Sequence, residues 1–156
     1  MTPANDPPQA TRTELPIRFA DVDMMGVAHH TTYLHWFEQM RFGFLERILG
    51  LSYEVLERDQ FTCPLIGCNV RYLQAVLFAD KPVGFVRLEL HKRASVTFYY
   101  SIFKDSTLSQ LSATGTTSHC FVKRDLTLLL QTPEILRSAF AQAVVKHPDC
   151  CFVNRQ

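Results

Sequence analysis

The chain reads as an α+β domain in which one long apolar helix is wrapped by a five-stranded antiparallel sheet. Three features predict this. A strongly apolar helical segment runs from about Thr32 to Leu49, a short alternating segment precedes it, and a long β-branched and aromatic tract follows from Phe61 to Lys123. One strand, one helix and four further strands leave the helix to be covered by the sheet.

In the first strand, Glu14 to Ala20, residues Leu15, Ile17 and Phe19 alternate with Pro16, Arg18 and Ala20, and the proline confines it to an edge or early position. In the helix, Leu34, Phe37, Met40, Arg41, Phe44, Leu45 and Ile48 recur at helical spacing and Gly50 supplies the stop. Trp36 and Phe42 fall on other faces, so a core helix enclosed on most sides is expected. A short helix is predicted at Tyr53 to Arg58. Strands are predicted at Phe61 to Ala75, Pro82 to Arg93, Ser95 to Lys104 and Leu108 to Lys123. Turn clusters at Ala79-Asp80-Lys81-Pro82, Lys92-Arg93-Ala94-Ser95 and Lys104-Asp105-Ser106 join them as a consecutive antiparallel meander. A last helix spans Pro133 to Val144, with Thr132 as candidate N-cap and proline at its first turn. Residues 1–13, rich in proline and small polar types, read as a loose disordered tail, and 147–156 as a second tail, leaving one domain over 14–146.

A length of 156 residues suits a single domain, and 47% hydrophobic with 12% aromatic residues argues against disorder. Net charge is +1 with both signs interspersed, so nucleic acid and anionic membrane surfaces are not expected partners. No apolar run approaches the roughly 20 residues of a membrane span, and the first residues lack the pattern of a signal peptide. The cytoplasm is the expected location. Five cysteines, an odd number without CxxC spacing, read as reduced thiols and not as a zinc site.

The segment Asp21-Val22-Asp23-Met24-Met25-Gly26-Val27-Ala28-His29-His30 sets two carboxylates, a glycine and paired imidazoles immediately before the apolar helix. Unpaired N–H groups at a helix N-terminus favour negative charge, so this is the candidate reaction site. Hydrolysis and metal binding are both open to such a cluster. The imidazoles lack the HExxH spacing that puts two ligands on one helical face, so no metal is expected.

Extended from Arg18 to Glu38 and Arg41, this string resembles the hotdog-fold acyl-CoA thioesterases of the 4-hydroxybenzoyl-CoA thioesterase type. Weaker likeness continues through Leu49-Gly50-Leu51-Ser52-Tyr53, Val70-Arg71-Tyr72, Ser95 to Tyr100 and Gly115 to His119, covering about Glu14 to Pro133. The resemblance implies a hotdog fold and hydrolysis of an acyl-CoA thioester without cofactor, by a homodimer or a homotetramer built as a dimer of dimers. It assigns catalysis to Asp23, as nucleophile or general base, with the backbone at His30 stabilising the oxyanion. Gly26 lets the loop approach the substrate, Val27 and Tyr33 border it, and Lys92, Arg93 and Ser95 match the family's coenzyme A phosphate contacts. Asp21 is read as a loop-shaping partner, and His29, His35 and His119 as packing or surface residues. Two departures stand out: Thr32 replaces the family asparagine, and Ala75-Val76-Leu77-Phe78 replaces its Pro-Ala-Arg-Tyr segment. The other reading is a non-catalytic hotdog module that binds acyl-CoA or acyl carrier protein, Lys92 and Arg93 being its docking place; a dehydratase or hydratase fits less well.

Overall fold

Tyr33, Trp36, Phe37, Met40 and Phe44 recur every three or four residues, and in the computed structural model they form the buried stripe of α1 (His30–Arg47). The structure describes residues 6–58 and 60–153. The stripe is narrower than expected: Trp36 is inside it, whereas Leu34 and Phe42 face outward. The helix starts two residues before the expected Thr32 because His29 takes the cap position. It ends at the expected glycine, where Gly50 has φ +67 and the Leu51 N–H returns to the Leu45 carbonyl at 2.8 Å.

Six described strands build the main sheet around β4 (Val83–Leu90), β5 (Ser95–Phe103) and β6 (Leu111–Cys120), a meander of antiparallel hairpins. The expected strand from Phe61 to Ala75 is split by Pro64, which has no N–H for a ladder. Its first part, β2 (Phe61–Thr62), pairs with β7 (Val122–Lys123) in a separate two-stranded sheet. Its second part, β3 (Leu65–Tyr72), does not join β4 as a consecutive meander requires. It crosses to the far side of β6, giving the order β4-β5-β6-β3. β3 is therefore an edge strand whose second side has no partner among the described residues, and nearly all its residues are exposed.

The opposite edge is closed by the chain ends. β1 is only Thr13–Glu14, shorter than the expected first strand, and β8 (Cys151–Val153) runs parallel to β4 further along the same edge. Both ends correct the reading as tails, as far as they are described; Met1 to Asn5 lie outside the described residues. Thr11 is fully buried, its hydroxyl accepting the Val86 N–H at 3.1 Å. The Arg87 guanidinium donates to the carbonyls of Asp149 and Asp6, both at 3.0 Å. An unfilled edge of β4 needs partners for its backbone groups, and these segments supply them. The remaining helices are α2 (Tyr53–Arg58) and α3 (Glu134–Lys146); α3 starts after Pro133, and Thr132 is not its cap.

Between α1 and the sheet lies one buried polar network. His119 places Nδ1 3.2 Å from the Cys63 carbonyl and Nε2 3.1 Å from the Thr117 hydroxyl, which is 2.8 Å from the Tyr100 hydroxyl. A carbonyl only accepts, so Nδ1 carries the proton, Thr117 donates to Nε2 and Tyr100 donates to Thr117. Burial, reinforced by the charge of Arg41, holds the His119 imidazole below its usual value of 6.5. The unfolded chain thus takes up a proton that the folded one resists, so this contribution is complete above the unfolded value and lost as pH falls below it. Urea unfolding of His119→Gln should accordingly show a flatter loss of stability between neutral pH and pH ~5 than the parent; equal slopes would remove His119 as the cause.

Candidate active site

The loop before α1 closes on itself as a small hairpin. Val22 and Ala28 form an antiparallel bridge, the Asp23 N–H donates to the Val27 carbonyl at 2.9 Å, and the His29 N–H to the Asp21 carbonyl at 2.8 Å. Gly26 turns the chain at φ +72, a conformation that strains any side chain with a Cβ. A second segment braces the hairpin from outside: the Ala28 N–H donates to the Val76 carbonyl at 2.8 Å, the Phe78 N–H to the Gly26 carbonyl at 3.0 Å, and Val27 bridges Leu77. Asp80 anchors that segment, accepting the Leu77 N–H at 2.8 Å and pairing with Lys104 at 3.3 Å. The apolar run at 76–78 was the sequence signal for this brace, but nothing local names the loop as its partner.

The two carboxylates have different work. Asp21 is buried and accepts three hydrogen bonds from Arg18, from its N–H at 2.8 Å, Nε at 3.1 Å and Nη2 at 3.2 Å, which hold its pKa below the ordinary carboxylate value. Its backbone carbonyl also accepts the Thr32 hydroxyl at 2.9 Å. Threonine therefore still pins loop to helix where the family carries asparagine. Asp23 is half-buried. Its Oδ1 accepts the N–H groups of Met25 and Val27 at 2.8 and 3.1 Å, while Oδ2 has no hydrogen-bond partner among the described residues. One oxygen is braced and the other is free for a water or an electrophilic carbon.

His30 opens α1, and its N–H has no acceptor among the described residues, so a donor sits unspent at the positive end of the helix dipole. His29 caps the helix instead: its Nδ1 accepts the Thr31 N–H at 3.4 Å and lies 2.8 Å from the Thr31 hydroxyl, and its ring is tilted against that of His30 with centroids 4.1 Å apart. Tyr33 is brought beneath the helix mouth but is almost wholly enclosed, with Trp36 and Tyr72 edge-on at 5.1 and 5.0 Å. Among the described residues, no group of three or more His, Cys, Asp or Glu side chains is arranged to hold a metal ion. No helix among them is long and apolar enough to cross a membrane.

Asp23, Gly26, Val27, His30 and Tyr33 thus meet at one end of the sheet, level with Tyr72, whose hydroxyl reaches the His30 carbonyl. Lys92, Arg93 and Ser95 do not join them. They lie in or beside the β4–β5 turn, where Ser95 pairs with Cys120 and its neighbour His119 pairs with Leu65 at the other end of β3. At the usual rise per strand residue, Leu65 and Tyr72 are about 23 Å apart. These three residues cannot serve the site of their own chain. The crossover of β3, and not the local turn, sets this separation.

The model of the thioesterase-like superfamily matches residues 17–142, which is most of the chain and includes the whole loop and helix. The chain belongs to this superfamily. It is 25% identical over 115 residues to YneP of Bacillus subtilis, a candidate acyl-CoA thioesterase, the match covering 74% of this chain and 81% of YneP. Among solved structures, the DHNA-CoA thioesterase of Staphylococcus aureus superposes with a TM-score of 0.75 at 27% identity, covering 88% of this chain and 93% of that one. The 1,4-dihydroxy-2-naphthoyl-CoA thioesterase Slr0204 of Synechocystis superposes at 0.71 and 18% identity, covering 82% and 93%, and at that identity speaks for the hotdog fold alone. The expected hotdog architecture holds, with β8 added to the sheet and β2 and β7 paired apart from it. Thioester hydrolysis is the activity on which the superfamily and the chemistry of the loop agree.

Proposed function

We propose that this chain is an acyl-CoA thioesterase of the 4-hydroxybenzoyl-CoA type, releasing a free acid and coenzyme A, with Asp23 as its catalytic carboxylate. The observation that carries this is the pairing of a half-braced carboxylate with an unspent helix N–H: Oδ1 of Asp23 is held by two backbone donors, Oδ2 is open, and the His30 N–H stands at the helix mouth. With the thioester oxygen on the His30 N–H, the charge that develops on attack meets a fixed dipole. Oδ2 then either takes a proton from the attacking water or itself adds to the carbonyl carbon, giving a mixed anhydride that water opens. In both routes the thiolate of coenzyme A leaves and is protonated, and water supplies the acid's new oxygen. The five unpaired cysteines suit the reducing cytoplasm.

The site works as a homodimer. An antiparallel pairing of two β3 edges about a two-fold axis would set the Tyr72 end of each strand against the Leu65 end of the other, bringing Lys92, Arg93 and Ser95 of the second copy toward Asp23. Those residues would hold the phosphates of coenzyme A. Mixing two crippled chains tests this. Asp23→Asn and the double variant Lys92→Glu, Arg93→Glu should each be poor as homodimers, whereas co-refolded mixtures should regain about a quarter of the parental thiol release, since half the dimers are mixed and each has one intact site. A mixture no better than the average of its parents would place each site within a single chain.

A further inference from the structure

We propose that Tyr72 is a positioning residue of the hydrolysis: its phenol holds the first turn of α1, and with it the His30 N–H, in register with the sheet. This rests on the reading of that N–H as the oxyanion donor. Tyr72 is the last residue of β3, paired with Ala113 of β6, so its backbone is carried by the sheet. Its hydroxyl donates to the His30 carbonyl at 3.2 Å, and its ring meets Tyr33 edge-on, which in turn meets Trp36. Among the described residues, no other side chain from the sheet hydrogen-bonds the first turn of the helix.

Folding has little need of this bond. The His30 carbonyl lies in an α-helix and has the N–H four residues on as its regular donor, so loss of the phenol orphans no acceptor. Tyr72 is also half exposed, and little apolar burial depends on its oxygen. Partial burial raises its phenol above the usual value of 10, so it remains a donor throughout the neutral range. What the bond does constrain is the placement of a helix end, the part of a helix most prone to fray. A backbone donor stabilises an oxyanion only when it stands within hydrogen-bond reach of the oxygen's position in the transition state, and small displacements there are costly.

The test is Tyr72→Phe. Turnover should fall about tenfold, with KM changed less than about twofold, because the interaction is one realised in the transition state. Melting temperature should drop by no more than about 4 °C, the effect of a single modest hydrogen bond. The independent readout is infrared: the carbonyl stretch of a bound ketone analogue, with methylene in place of the thioester sulfur, should be less red-shifted in Tyr72→Phe than in the parent. An unchanged turnover with an unchanged stretch would overturn the role of Tyr72 while leaving Asp23 untouched. A rise in KM that accounts for the whole loss would overturn it too, making Tyr72 a binding residue. An absent shift in an active parent would instead defeat the assignment of His30.

Discussion

Asp23→Asn should lower thioester hydrolysis by about 10²–10⁴-fold while leaving acyl-CoA binding and stability close to the parent, the range expected when a positioned base or nucleophile is removed. The substitution is nearly isosteric. An asparagine oxygen can still accept the N–H groups of Met25 and Val27, so the hairpin that Asp23 closes survives. Only the negative charge and the basic second oxygen are lost. Asp21→Asn is the contrasting variant: there the charge holds Arg18 rather than a substrate, and the expected damage is to loop order first and turnover second. Thiol release measured beside equilibrium binding of a non-hydrolysable analogue separates the two. Near-parental turnover in Asp23→Asn would end the mechanism.

Gly115→Ala should be the most destabilising of the small substitutions. Gly115 lies on β6 directly beneath Phe37, and a Cβ built there would stand 2.4 and 2.5 Å from two ring carbons of Phe37 and 2.8 Å from the Asn69 carbonyl oxygen. Neither neighbour can retreat. Phe37 is fully buried and stacked on Tyr100 at 4.2 Å, and the Asn69 oxygen belongs to the β3 backbone. Overpacking of this kind costs about 1–3 kcal/mol, and a chain of this size loses about 2–4 °C per kcal/mol, so a fall of about 2–12 °C is expected in a thermal melt. Gly84→Ala is the control: the three atoms nearest its added carbon belong to the side chains of Met40 and Leu15, and the unbranched Met40 can swing aside. Equal melting temperatures for Gly115→Ala and the parent would show that α1 can lift off the sheet without penalty. Because Phe37 lies one turn along from Tyr33, a lifted helix should also cost turnover.

Particular residues show how much was legible in the sequence. The helix, its glycine stop and the loop of two carboxylates are local in sequence, and each appears within two residues of where spacing predicts it. The hydrogen bond from Thr32 to the Asp21 carbonyl spans the same short stretch, yet a threonine in a helix does not announce its acceptor. Tyr72 reads as a strand residue, and 76–78 as part of an apolar replacement for the resembled family's Pro-Ala-Arg-Tyr segment. Their partners His30, Val27 and Gly26 lie across the fold. The two ends of the chain read as tails, but each docks on β4 through backbone bonds that any sequence can make.

What the sequence by itself determined is therefore the class of the fold, the long helix and the chemistry of the loop at its mouth, because periodicity and residue type over contiguous segments encode them. Only the tertiary structure decided that β3 crosses to the free edge of the sheet, that Asp23 and the Lys92–Arg93 turn lie at opposite ends of the sheet, and that Tyr72 meets the helix. Strand order depends on which edges remain open once the rest of the chain has packed, and no run of neighbouring residues carries that information.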